Sequence, residues 1–547
     1  MSKVFILGID GGSLKLIEQW QDELPNLKKV MQNGVYGELE STIPPSTCPA
    51  WPCMFTGKNP GKLGFYGFVD VQVQEEHKIR LHSSLDYFQQ SLWKILSDSS
   101  KKVGLFNIPI TYPPPEVNGF AISGLGTPFA DATKGVYTYP SNLGETLDRV
   151  VGGYEIEAVI DMRVAAKEEQ YKKALEQILA KRLKAAKYLL TNFDWDLFIC
   201  VFVVLDRVQH YFWHHMDKAH PGHTTDKYQT VVKDFYKMVD RAMGELVSML
   251  PQGTNILITS DHGFQGAYGQ FWVNKWLEKA GFLYFSKSSS LRVKSLLTAK
   301  QLFLSKSNPS LTRLVSKMIP RRLLAGLLAR SEIKDHLADI FQSIDWSRTK
   351  AFGLGPTEAG SMIYINLKGK NPGGIVLPGD EYEQVRQDII DRLRSMPDPE
   401  TGEPLDIQVF RKEEIYHGKY LASAPDILFL NNKYRFLGGR REGKSEWQVP
   451  TPSRSGMHAR QGVFMAYGPD IKKSGEKLPN LKIYDITPTA LHMFGLPIPK
   501  DMDGRVLTEI FTESSEPGKR QVAYRGVDYE AERTKERVGR LKRLRKL

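Results

Sequence analysis

Three aspartates in this chain of 547 residues each stand immediately after an apolar run. Asp10 follows VFILGI, Asp206 follows DLFICVFVVL, and Asp261 follows NILITS. Ligands of open α/β sheets bind beyond the carboxyl ends of the strands, so parallel strands would carry all three carboxylates to one rim. Carboxylates crowded in this way raise one another's pKa unless cations lie among them. Histidines accompany them. Asp206 opens DRVQH, which places His210 four residues on, on the same face of a helix. His214 lies a further four residues on, so spacing leaves both histidines as candidates. Asp261 is followed directly by His262 and Gly263, and His458 lies in SGMHARQGVFMAY, just before another apolar stretch. Mixed His and Asp donors suit zinc first, with manganese or iron as alternatives.

A nucleophile is offered by TIPPSTCPAWPCMFTGKNPGKLG. Pro44 and Pro45 stiffen a loop, and Pro49 opens a short apolar helix. Thr47 then falls near a helix N-terminus, where free N–H groups favour a bound anion. A metal beside its hydroxyl would lower the pKa and generate an alkoxide. Ser46 is the neighbouring alternative, and simple helix capping is the other role open to Thr47. Cys48 precedes Pro49, but no Arg follows at the spacing of the sulfatase pattern Cys-x-Pro-x-Arg, which argues against a formylglycine sulfatase.

The elements that must position these groups follow from hydrophobic periodicity. Apolar runs predict strands at Val4–Ile9, Lys102–Asn107, Leu197–Val204 and Asn255–Thr259, three of them continuous enough to be covered on both faces. Helical spacing marks Glu168–Leu190. The alternation predicts an α/β fold with a parallel sheet. From residue 285 to 345 leucines recur at helical spacing among basic residues, broken at Pro309 and Pro320, which predicts an inserted cap of short amphipathic helices. The α/β pattern resumes with strands at Met362–Leu367, Asp406–Phe410, Asp426–Leu430 and Gln461–Tyr467, and with helices at Glu381–Ser395 and Ile483–Met493. The expected organisation is a core of residues 1–284 and 346–515, a cap of 285–345 and a basic tail of 516–547.

Composition bounds the function. Hydrophobic residues make up 41% and charged residues 25% of the chain, enough for a large buried core. No apolar run is long enough to span a bilayer. The opening MSKVFILGIDGGS reads as a first strand and not as a secretory signal. Three cysteines, Cys48, Cys53 and Cys200, make no disulfide framework, so a reducing, cytoplasmic compartment is expected. The net charge of +12 is local: Ser286–Arg330 carries ten Lys/Arg and no acid, and Glu532–Leu547 has a surplus of six, which leaves −4 for the rest. These two stretches are candidates for contact with an acidic membrane surface. No RNA- or DNA-binding motif accompanies them, so no specific nucleic-acid partner is expected.

Taken in order, GIDG, the Pro-rich loop with Thr-x-Pro-Ala-Trp and TGKNPGK, Asp-x-x-x-His, Ser-Asp-His-Gly and Gly-x-His before a strand resemble the alkaline phosphatase superfamily. The likeness is to its type I phosphodiesterase and nucleotide pyrophosphatase branch, including the prokaryotic phosphohydrolase and phosphomutase-like proteins. It runs from about residue 3 to 515. The resemblance implies an alkaline phosphatase-like sandwich, with a central, mostly parallel sheet covered by helices. It implies two divalent ions, zinc first and manganese as the alternative. One ion would be held by Asp206, His210 and His458, the other by Asp10, Asp261, His262 and the Thr47 oxygen. It selects His210 over His214 and Thr47 over Ser46. The implied activity is hydrolysis of a small anionic phosphate ester, diester or monoester, through a phospho-threonine intermediate. The alternatives are a phosphomutase or phosphonate hydrolase on the same scaffold, or a non-catalytic protein that binds a membrane surface. Two positions depart from the nucleotide pyrophosphatase pattern His-Gly-Ile-x-x-Asn: Leu63 replaces its His, and Phe68 replaces its phosphate-touching Asn. The mutase members use Ser as nucleophile, so Thr47 speaks against that alternative.

Overall fold

The computed structural model describes residues 3–72, 78–128, 136–157, 167–286, 343–354, 360–438, 445–448 and 454–527, with the short pieces 341, 356–357, 534 and 538. The basic cap assigned to 285–345 falls almost wholly outside these residues. So does nearly all of the cationic stretch of the tail.

Lys3–Ile9 forms β1, Val35–Glu40 β2, Val103–Ile108 β3 and Gly119–Ser123 β4. Leu197–Phe202 forms β5, Thr254–Thr259 β6, Gly263–Gly266 β7, Gly456–Ala459 β8 and Gln461–Tyr467 β9. The main sheet has ten strands among the described residues, with β2-β9-β6-β1-β5-β3-β4 running across it. The block β6-β1-β5-β3-β4 is parallel. This is the predicted mixed α/β architecture with a mostly parallel centre. The run Gln461–Tyr467 is the strand expected there, but β9 is antiparallel to both β2 and β6. An apolar run reports burial and not direction. Here β8 and β9, one residue apart, run antiparallel to β7 and β6 respectively.

Alternation within β1 divides the core. Phe5, Leu7 and Ile9 join one apolar cluster, and Val4 and Ile6 join the other. Three long helices supply much of the cover of the first cluster. Thr47–Thr56 is α1, Glu168–Asn192 α2, Val204–Met216 α3 and Val231–Ser248 α4, and the last three supply that cover. Every residue of α1 is buried in the second cluster's layer, as expected of a helix apolar on all sides. A Cβ at Gly8 would lie 2.6 Å from the Trp51 ring, so β1 needs a glycine where α1 crosses it.

The chain from 346 to 515 does not enter one sheet. Ala351–Leu354, Gly360–Ile365, Ile427–Asn431 and Ile407–Arg411 form a separate antiparallel sheet in that order. It has its own apolar cluster, packed with the helix Asp380–Arg394. Only from β9 onward does the chain return to the main sheet. No helix among the described residues is long and apolar enough to cross a membrane.

Candidate active site

The strand ends deliver the three aspartates as their positions predict. Asp10 leaves β1 with its N–H donating to Phe202 O of β5 at 3.0 Å, and Asp206 N–H donates to Asp10 O at 3.1 Å. Gly11 adopts a φ of +70°, a conformation costly for a side chain. That turn lets Gly11 N–H donate to Asp261 Oδ1 at 3.2 Å. His210 lies one turn of α3 after Asp206, with its Nε2 3.4 Å from Asp206 Oδ1. His458 arrives by another route. Antiparallel pairing of β7 with β8 sets it opposite Phe264, which brings its Nε2 to 3.1 Å from Asp206 Oδ1.

Thr47 is the first residue of α1. Ser46 holds the N-cap position and makes no side-chain capping bond. The Thr47 hydroxyl does not cap the helix but faces His262 Nε2 at 3.3 Å. His214 lies elsewhere: its ring engages Ser455 Oγ at 2.9 Å. Cys48 beside Thr47 is buried, and burial pushes its thiol well up, so it stays an inert thiol.

Two compact donor groups result. Asp206, His210 and His458 offer ligand atoms within 4.8 Å of one another, and so do Asp10, Asp206 and His262. Asp206 therefore belongs to both. Asp261 stands beside the second group, its Oδ2 3.2 Å from His262 Nε2.

The polar accounting fits divalent ions. Each aspartate uses one oxygen within the protein. Asp10 Oδ2 accepts from Trp51 Nε1 at 3.1 Å, Asp206 Oδ2 from Arg207 at 2.8 Å, and Asp261 Oδ1 from Gly11 N–H. The other oxygens, Asp10 Oδ1, Asp206 Oδ1 and Asp261 Oδ2, are buried without a hydrogen bond. Such atoms are costly unless a ligand satisfies them. The imidazoles are oriented in the complementary sense. Nδ1 of His210 donates to Gly456 O at 3.0 Å, that of His262 to Gly263 O at 3.1 Å, and that of His458 to Pro45 O at 2.9 Å. A carbonyl can only accept, so each Nδ1 carries the proton and each Nε2 turns a lone pair inward. The Nε2 atoms of His210 and His458 are 3.1 Å apart, a contact between two lone pairs that a shared cation makes favourable.

Electrostatics point the same way. Burial and the charges of Asp261 and Asp206 hold Asp10 well above the usual carboxylate range. Burial pushes Asp261 up to about 7. Burial also works against ionised Asp206, but His210 and Arg207 outweigh it and hold that carboxyl low. Burial and His458 keep His262 neutral, the form that ligates. Arg207 and Trp51, which fix two of the carboxylates, escaped the sequence reading. Arg207 follows Asp206 directly, and that adjacency was the available signal.

These shifts give a testable pH dependence. Asp10 and Asp261 bind protons more tightly folded than unfolded. Without divalent ions they oppose folding increasingly as pH rises from about 4 through 7, whereas Asp206 titrates below that window. In chelator, the melting temperature of wild type relative to Asp261→Asn should therefore fall between pH 5 and pH 8. Added zinc at pH 8 should reverse the fall. A relative Tm that rose with pH would show that these carboxylates are not crowded.

Carboxylates, imidazoles and a helix-terminal threonine gathered at the strand ends of a parallel sheet are groups suited to the class of phosphoric ester hydrolases. The chain belongs to the type I phosphodiesterase / nucleotide pyrophosphatase family, whose model matches residues 4–459. It is accordingly a phosphoric ester hydrolase. A search of the curated proteins gives no match. Among solved structures, murine ectonucleotide pyrophosphatase / phosphodiesterase 5 aligns with 93% of this chain and 100% of its own, at 12% identity and a TM-score of 0.49. An inactive variant of that murine protein in complex with AMP aligns with 94% of this chain and 100% of its own, at the same identity and TM-score.

Leu63 is 4% exposed and belongs to the second apolar cluster, and Phe68 is 39% exposed.

Proposed function

We propose that this chain hydrolyses phosphoric diesters or pyrophosphates in two displacements, with Thr47 as the nucleophile. Asp206, His210 and His458 would hold one divalent ion, and Asp10, Asp261 and His262 the other, with Asp206 within reach of both. The observation that carries this reading is the convergence of three buried, unsatisfied carboxylate oxygens with three imidazoles whose Nδ1 protons are tied to carbonyls. Zinc suits these donors best, and manganese is the alternative. When bound, the ions supply Lewis-acid charge to the phosphoryl oxygens and favour ionisation of a nearby hydroxyl.

The protein's own groups set the course of the reaction. Three carboxylates against two divalent ions leave one positive charge, which the Thr47 alkoxide balances once its proton has left. Thr47 at the first position of α1 places Oγ1 where backbone N–H groups favour the substrate's anionic phosphoryl group. Oγ1 attacks phosphorus, the bond to the leaving oxygen breaks, and a phospho-threonine forms. Water then attacks phosphorus from the opposite side and returns Thr47. Arg207, anchored to Glu157 at 3.0 Å, keeps Asp206 ionised and oriented throughout. Because Phe68 replaces the Asn of nucleotide-directed relatives, the phosphoryl group depends more heavily on the ions and the α1 N–H groups here. A reducing, cytoplasmic setting is part of the same proposal.

The test is exhaustive chelation of the purified full chain, assayed on a chromogenic phosphodiester. Hydrolysis should disappear and return on adding zinc or manganese. Undiminished turnover after chelation would overturn the ion-dependent reading.

A further inference from the structure

The far end of α3 carries a second set of metal-type donors that the reaction does not use. We propose that His214, His215 and Glu168 form a third divalent-metal site, of the zinc class, which fastens the last turn of α3 to the first turn of α2. Each residue offers one ligand atom, and these atoms lie within 4.8 Å of one another. Both histidines are 2% exposed.

The decisive atom is His215 Nε2. It is buried and has no hydrogen-bond partner. Its approach to Glu168 Oε1, 3.5 Å, lacks hydrogen-bond geometry. The opposite ring atom is fully engaged: His215 Nδ1 meets Asp226 Oδ2 at 2.9 Å and Thr224 Oγ1 at 3.0 Å. A carboxylate behind Nδ1 fixes the proton there and turns the Nε2 lone pair toward Glu168, the arrangement that backs metal-bound histidines. Ser455 Oγ engages His214 Nδ1, which leaves Nε2 as that ring's ligand atom. The rings lie side by side, 3.9 Å between centroids. Burial keeps His214 neutral, with neighbouring His215 and His220 adding to the effect.

Charge and placement agree. Glu168 and Asp226 contribute two negative charges beside the two imidazoles, a balance that one divalent ion completes. The C-terminal turn of α3 presents carbonyl ends of its dipole, which favour a cation. Two nitrogens and a carboxylate oxygen suit zinc or a neighbouring transition ion better than calcium or magnesium. The rival arrangement is a protonated His215 bridging Glu168 and Asp226. That would place Nε2–H in a hydrogen bond to Glu168, which the geometry does not contain. Nearby His220 is not part of the site, because Ala267 O and Gly222 N–H occupy its two nitrogens.

The site is separate from the catalytic cluster but mechanically joined to it. One helix carries Asp206 and His210 at its start and His214 and His215 at its end. Ser455, bonded to His214, donates its N–H to His210 O and precedes the strand that holds His458. An ion here would stiffen the support of three catalytic donors without touching substrate.

The test is zinc content per chain of the full-length protein after dialysis against dilute zinc, for wild type, His215→Gln and Glu168→Gln. Each variant should hold one zinc fewer than wild type and keep diester hydrolysis close to the wild-type rate. Glu168 is part-exposed, so its variant reports even if His215→Gln folds poorly. In an Asp206→Ala/Asp261→Ala background, which takes a carboxylate from each catalytic ion, one zinc should persist and disappear when Glu168→Gln is added. Wild-type zinc content in Glu168→Gln, or no residual zinc in Asp206→Ala/Asp261→Ala, would overturn the third site whatever becomes of the catalytic one.

Discussion

Replacing Thr47 by alanine is expected to lower hydrolysis of a chromogenic phosphodiester by about a thousandfold or more while leaving bound metal near the wild-type level. The two effects separate because of where the residue sits. Its hydroxyl faces His262, but the three aspartates and three histidines keep every other contact when it is removed. The helix does not depend on it either. Ala50 N–H donates to Ser46 O at 3.0 Å, and alanine is a good residue at the first position of α1. Loss of rate would therefore report loss of the attacking oxygen and not of the fold. Thr47→Ser keeps that oxygen and should retain a measurable fraction of the activity. Should the alanine variant turn over at close to the normal rate, the nucleophile lies elsewhere.

The second large effect is expected at Asp206. Asp206→Asn should lose at least one divalent ion per chain and about a thousandfold in turnover, as read by elemental analysis and the same diester assay. Asp206 is chosen because it is common to both donor groups, and because its free Oδ1 lies nearest to His458 and His210. Asparagine preserves size but removes the charge and turns one ligand oxygen into a competing amide. Arg207 retains Glu157, so the surroundings lose one ion pair and not the whole network. The expected pattern is joint loss of metal and rate, in contrast to Thr47→Ala. An Asp206→Asn protein with full metal content and full turnover would remove the cluster from consideration as the ion site.

Much of this was legible before folding because the informative signals are local. Asp10, Asp206 and Asp261 announce themselves by following apolar runs. The pairs Asp206–His210 and Asp261–His262 are spaced by a helical turn and by direct adjacency, both readable along the chain. Other features were not. Trp51 and Gly11 supply hydrogen bonds to Asp10 and Asp261 from distant parts of the sequence, 41 and 250 positions away. Nothing in a Trp or a Gly marks it as such a partner. The separate antiparallel sheet built from residues 351–431 was also hidden, because a buried antiparallel strand and a buried parallel one have the same apolar composition.

The sequence by itself determined the donor chemistry and the parallel centre of the sheet, since residue type and hydrophobic period are properties of short windows. It also placed Thr47 near a helix start, which the fold sets at Thr47 itself and not at the expected Pro49. Only the tertiary structure decided which lone pairs face one another. The pairing of β7 with β8 carries His458 to Asp206, and backbone carbonyls of Gly456, Gly263 and Pro45 fix which nitrogen of each ring turns inward. Those are contacts between segments far apart in the chain. Their geometry comes from how the whole core packs, and no periodicity along one segment records it.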